Sequence, residues 1–260
     1  MEHIPFEHSI DLPPYRAILA VDAKGFTAEP GSTHEAISKK LLDLVGDAVA
    51  DAGLRAEWEH PAFLGPTGDG FAVGLPTRVL PFLVDPFPRL LQERLAAHNR
   101  QARARLQLRV SLHVGPLPAD PENPHWTGNG DSRNDTHRLL DSAPVKAVLA
   151  AASPRVTFVA CIFSDRVFED VIAAGYAGMQ PDRCLPVMAT VESKAFSRQA
   201  WLYLPEVSGN LLEVLPAAPP PSSPAGEAVR PRISGPRVKR NDGQVATTVE
   251  SMTQHRGGDR

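Results

Sequence analysis

Arg16-Ala-Ile-Leu-Ala-Val-Asp22-Ala-Lys-Gly25-Phe26-Thr27 opens the regular part of the chain. Residues 16–21 are almost wholly apolar, of strand length, and stop at an aspartate with a glycine three residues on. They read as a strand whose end faces a turn or a cleft. Outward from it, residues 33–52 place Ala36, Ile37, Leu41, Leu44, Val45 and Val49 at helical spacing, and Gly53 closes the run. Residues 55–62 and 71–75 read as strands joined through Gly65-Pro-Thr-Gly-Asp69-Gly, whose Asp-Gly pair is a hairpin signal. Residues 90–105 read as a helix. Residues 106–114 alternate, with Leu106, Leu108, Val110, Leu112 and Val114 on one face of a strand. A loop rich in proline, aspartate and asparagine at 116–130 precedes a helix over 132–151, a strand over 156–163 and a helix over 165–174. Residues 188–191 and 200–204 read as the last two strands. Strands and helices mix without strict β-α-β alternation, which predicts an α+β fold with helices packed on a largely antiparallel sheet.

Composition bounds the rest. Of 260 residues, 42% are hydrophobic, enough for one sizeable core. No repeat is present, and the longest apolar runs are far too short to span a membrane. The opening MEHIPFEHSIDLPP is acidic and broken by proline, unlike a signal peptide. Cys161 and Cys184 lie in apolar stretches and form neither a disulfide framework nor a zinc spacing, so a reducing cytoplasm is expected. A net charge of −3 does not point to nucleic acid. Proline is abundant, at 26 residues, and crowds together at 216–224. The chain divides into an extension at 1–14, a folded domain at 15–206 and a disordered Pro/Arg-rich tail at 207–260. The basic run at 230–240 is either a patch for an unknown partner or a solvated tail.

Four polar signals recur along the domain. Asp22 to Thr27 places a carboxylate at a strand end. Gly68-Asp69-Gly70 places another in the hairpin. Asn134 and Arg138, four apart, share a helix face. Lys194 leads into the last strand. Each alone reads as a turn or a solvated surface. In order, however, DAKGFT, GDG, RVSLHVGP, GDSRNDTHRLLDSA and ESKAFSRQAWLYLP resemble the catalytic domain of class III nucleotidyl cyclases. The resemblance runs over residues 15–206. It carries the family's Asp-x-x-Gly-Phe-Ser/Thr block and Gly-Asp hairpin, a strand (Arg109-Val-Ser-Leu-His-Val-Gly115) close to its Arg-Ile-Gly-Ile-His-x-Gly, its Asn-x-x-x-Arg helix and its lysine.

The resemblance implies a ferredoxin-like βαββαβ core. It implies that Asp22 and Asp69, with the carbonyl of Ala23, hold two divalent ions, Mn²⁺ or Mg²⁺. Asn134 would orient the ribose, Arg138 would stabilise charge at the α-phosphate, and Lys194 would hold the terminal phosphates. Phe26 and Thr27 would border the nucleotide. The product would be a 3′,5′-cyclic nucleoside monophosphate, with pyrophosphate released. The two halves of each site would come from different protomers of a homodimer. The base positions depart from the family. Gly65 stands where adenylate cyclases carry a lysine, and Thr127 stands where most carry an aspartate. Neither purine code is complete. That favours a resemblance to the bacterial pyrimidine cyclases, which make cyclic UMP or cyclic CMP in anti-phage signalling. A purine cyclase with an atypical base pocket and a catalytically silent scaffold that binds a nucleotide or a partner are the alternatives. Arg133 and Asp135, flanking Asn134, replace residues that the family keeps apolar. His113 matches a histidine common in the family's strand.

Overall fold

The computed structural model describes residues 6–26, 30–102, 105–118, 127–192 and 194–213. Thr27, His125, Trp126 and the basic run at 230–240 lie outside them. Seven strands form one sheet: β1 (Tyr15–Ala23), β2 (Phe63–Pro66), β3 (Gly70–Pro76), β4 (Leu108–Pro116), β5 (Val159–Ser164), β6 (Leu185–Val191) and β7 (Phe196–Tyr203). Their order is β2-β3-β1-β4-β5-β7-β6. β4 and β5 run parallel, and the other pairs are antiparallel. The helices are α1 (His34–Asp51), α2 (Arg55–Glu59), α3 (Leu80–Val84), α4 (Phe87–Gln101), α5 (Asp131–Leu140), α6 (Ala143–Ala151) and a short α7 (Asp165–Val167).

Both faces of the sheet are covered, so β1 is apolar without alternation. Ala17, Leu19 and Val21 enter one core with Leu108, Val110, Leu112 and Val114 of β4, under α1 and α4. The alternation expected for β4 is the one observed. On the opposite face, Val145, Val148 and Leu149 of α6 pack on Ala160 and Ile162 of β5 and on β6 and β7. Between them α5 lies over β1 and β4. Gly65, Ala72, Ala20 and Ser111 are direct cross-strand neighbours, a row without a large side chain. The Ser111 hydroxyl donates to the Thr136 carbonyl of α5 at 2.8 Å.

Three expectations are corrected. Residues 55–62 are not a strand: 55–59 form α2, and β2 begins at Phe63. The stretch Arg-Ala-Glu-Trp-Glu is made of helix formers, and the helix aims Trp58 at Phe71, ring centres 5.9 Å apart. The same indole lies where a Cβ on Gly46 of α1 would be. The single helix over 132–151 is two helices, because Pro144 cannot donate to the carbonyl of residue 140 and its ring crowds that turn. Ser142, at the break, donates its hydroxyl to the Leu139 carbonyl at 2.7 Å. The helix over 165–174 starts as α7 and continues as a π-helical turn, Phe168–Ala173.

Packed chain continues beyond Glu206. The Ser208 hydroxyl accepts from the Ser153 amide at 3.0 Å, and the Ser208 amide donates to Thr157 Oγ1 at 3.1 Å. Leu211 is fully buried in the α6 core. Leu211→Ala should therefore cost about 2–5 kcal/mol in urea unfolding. A chain ending at 206 should melt well below one ending at 213. Equal melting temperatures would refute the packing role.

Candidate active site

At the end of β1 the register places Asp22 between Gly70 of β3 and Arg109 of β4. Even-numbered positions of β1 face α5, so Asp22 leaves the main core yet remains only 7% exposed. Arg109 grips it with two parallel bonds, Nε to Oδ1 and Nη2 to Oδ2, both 2.7 Å. Burial pushes the Asp22 carboxyl up to about 6. Arg109 opposes this, and the charges of Asp69 and Asp141 add to it. Burial outweighs a fork-shaped partner because desolvation acts on the whole carboxylate.

Asp69 is brought alongside by the hairpin. The Ala23 amide donates to the Asp69 carbonyl at 3.0 Å, and the Thr67 amide donates to the Gly70 carbonyl at 2.9 Å. Gly68 has φ +93°, and a Cβ on Gly70 would stand 2.8 Å from the Cα of Asp22. The glycines on both sides of Asp69 are thus required, one by dihedral and one by space.

Asn134 and Arg138 project from α5. Arg138 donates to Asp135 at 2.8 Å and lies 5.8 Å from the centre of the Phe196 ring. Lys194 stands 3.9 Å from Asp141, which also binds Lys146 at 2.6 Å. Burial works to raise the Asp141 carboxyl. Lys146, Lys194 and Arg109 outweigh it and hold the group below its ordinary value. Gly65 lies against the Arg133 guanidinium, and Thr127 is half-buried at the start of the turn into α5. Phe26 is buried, its ring turned into the core against His34 at 4.2 Å.

Asp22, Ala23 and Asp69 therefore meet at one end of the sheet. Asn134, Arg138 and Lys194 sit on α5 and before β7, and no ion pair among the described residues joins Arg138 or Lys194 to Asp22 or Asp69. Two residues were not assigned a role from sequence. Arg109 was visible only as part of the strand motif, and its pairing with Asp22 needs the β1–β4 register. Asp141 gave no signal, because it fell inside what reads as one continuous helix over 132–151. A separate cavity of about 310 Å³ lies by the other end of β4, lined by His113, Ser132, Asp135, Arg166 and Arg198. His113 has no partner for Nδ1, and burial lowers its pKa to about 4, with Arg166 and Arg198 adding to the effect against Asp135.

Among the described residues no three His, Cys, Asp or Glu side chains converge as a metal cage. Two carboxylates and a backbone carbonyl nevertheless fit a hard cation that keeps water and shares phosphate oxygens with a substrate. Arg109 already places a positive charge on Asp22. A group titrating near 6 in the fold and at 3.8 when unfolded destabilises the fold as it ionises. The stability of the wild type relative to Asp22→Asn should fall as pH rises from about 4 to about 6 and stay level above. Melting curves of both proteins without added metal, from pH 4 to 8, check this; parallel curves would refute it.

No protein-family model and no curated protein matches the chain. Solved structures do. The guanylyl cyclase Cya2 superposes with a TM-score of 0.50 at 15% identity, over 75% of this chain and 94% of that one. A bacterial light-regulated adenylyl cyclase superposes with a TM-score of 0.53 at 12% identity, over 82% of this chain and 57% of that one. At such identities the likeness is one of fold. The chain has the α+β architecture of class III nucleotidyl cyclase domains, a mixed sheet with packed helices, as the sequence motifs led us to expect.

Proposed function

We propose that the chain is a metal-dependent nucleotide cyclase that converts a pyrimidine nucleoside triphosphate to its 3′,5′-cyclic monophosphate and pyrophosphate. The product would be a cyclic UMP or cyclic CMP messenger in antiviral defence. The observation that carries the reading is the buried Asp22 carboxylate beside Asp69, held by a guanidinium that a cation would replace. When bound, divalent cations would neutralise the triphosphate and make the ribose 3′-hydroxyl easier to deprotonate.

The chain's own part is positioning and charge compensation. The 3′-oxygen attacks the α-phosphorus in line, its proton is lost, and the bond to the β-phosphate oxygen breaks. Asn134 orients the ribose, Arg138 meets charge at the α-phosphate, and Lys194 meets the departing phosphates. Arg138 and Lys194 each stand beside a carboxylate, Asp135 and Asp141, with which phosphate would compete. Gly65 and Thr127 border the base, and Phe26 and Thr27 would border the nucleotide. Each site would join the aspartates of one protomer to Asn134, Arg138 and Lys194 of the other.

A second reading has an observation behind it as well. An Asp22–Arg109 pair fully satisfied by itself is what a silent, structural domain would keep.

The purified chain with Mn²⁺ and each of ATP, GTP, CTP and UTP, scored by mass spectrometry, separates the two. Cyclic pyrimidine product is expected. Asp22→Ala, Asp69→Ala and Arg138→Ala should each lower it about 100-fold or more. Mixing Asp22→Ala with Arg138→Ala should restore about a quarter of wild-type activity, because half the dimers then carry one intact composite site. No recovery on mixing would rule out sites shared between protomers. No product from a folded dimer would favour the silent scaffold.

A further inference from the structure

Arg133 precedes Asn134 on α5 and is half-buried. Its guanidinium carbon lies 5.2 Å from the centre of the Phe63 ring, and its Nη1 reaches Asn129 Oδ1 only at 3.4 Å. Three glycines make the place. A Cβ on Gly74 would stand 2.5 Å from the Phe63 ring, and one on Gly128 would stand 2.7 Å from its Cδ1. Gly128 also has φ +76°. These two positions seat the ring. A Cβ on Gly65 would stand 2.9 Å from Arg133 Cζ. A side chain at 65 and the guanidinium at 133 therefore exclude one another. The positive group beside β2 is delivered from the helix rather than from the strand, over an aromatic ring.

We infer that Arg133 reads the base of the substrate and selects one that carries a ring carbonyl, an inference that rests on the cyclase reading above. A guanidinium donates and never accepts. Cytosine offers O2 and N3 side by side, guanine offers O6 and N7, and uracil offers O2 or O4 singly, each a carbonyl whose two lone pairs can take both N–H groups. Adenine alone has no carbonyl, and it sets an amino donor next to either ring nitrogen an arginine could approach. Two donors against one donor and one acceptor leave a polar group unpaired, which is how such sites reject a wrong base. Gly65 is then no mere absence of a lysine but the space that the reading group needs.

The test measures kcat/KM for ATP, GTP, CTP and UTP with the full chain and Mn²⁺, for wild type, Arg133→Ala, Arg133→Lys and Gly65→Ala. Dissociation constants for non-hydrolysable analogues of the same four nucleotides are measured alongside. Wild type should favour a carbonyl-bearing base over adenine about 10- to 100-fold. Arg133→Ala should shrink that ratio by the same factor, Arg133→Lys by less, and Gly65→Ala should act like Arg133→Ala by displacing the guanidinium. Wild type that prefers ATP overturns the inference. So does an Arg133→Ala protein that loses all four nucleotides equally, since that marks a structural clamp on Phe63. Selective, Arg133-dependent binding without turnover keeps the base reader and removes the cyclase reading. Binding of none of the four overturns both.

Discussion

The close seating of α5 on the sheet is the constraint from which the site follows. A helix lies near strands only where they offer little bulk, and Ala20 of β1 and Ser111 of β4, cross-strand neighbours under α5, meet that condition. The Ser111 hydroxyl then joins strand to helix through the Thr136 carbonyl. With the helix fixed at that height, Arg133 falls beside Gly65 on one flank, and Asp135 and Arg138 fall towards Phe196 on the other. A larger residue at either position would lift the helix and move every polar group it carries.

Charge is arranged across the sheet and α5 as alternating partners. Arg109 holds Asp22, Asp141 is held by Lys146 and approached by Lys194, and Asp135 holds Arg138. Each basic group assigned to phosphate thus has a carboxylate rival within the chain. A phosphate has to outbid that rival, so unproductive binding of lone anions is weakened while a triphosphate, which engages several of these groups together, is not.

Much of this was legible in the residues. β1 and β4 declared themselves through length and alternation, and the four polar signals were found at the positions where the structure gathers Asp22 with Asp69 and sets Asn134 and Arg138 on one helix. What was not legible depended on long-range register or on tertiary packing. The Asp22–Arg109 pair joins residues far apart in sequence and is visible only once β1 and β4 are aligned. Residues 55–59 are helix formers around one aromatic, a run too short to declare itself, and the position of Trp58 against Phe71 and Gly46 fixes the helix. Residues 207–213 stand next to a proline-rich stretch and hold too short an apolar run to show that Ser208 and Leu211 close the second core.

The order of the strands also governs how the chain can fold. β1 is the first strand in sequence but the third in the sheet, and both of its neighbours come much later: Asp22 meets Gly70, and Tyr15 meets Pro116. During synthesis this apolar strand has no partner until β3 has emerged, and its second edge stays open until β4 has. Loop closure over such separations precedes any reward from pairing, so the domain belongs with slow folders of high contact order. Over that interval a bare run of Ala17 to Val21 is the segment most exposed to pairing with another chain, and the one a chaperone has most reason to hold.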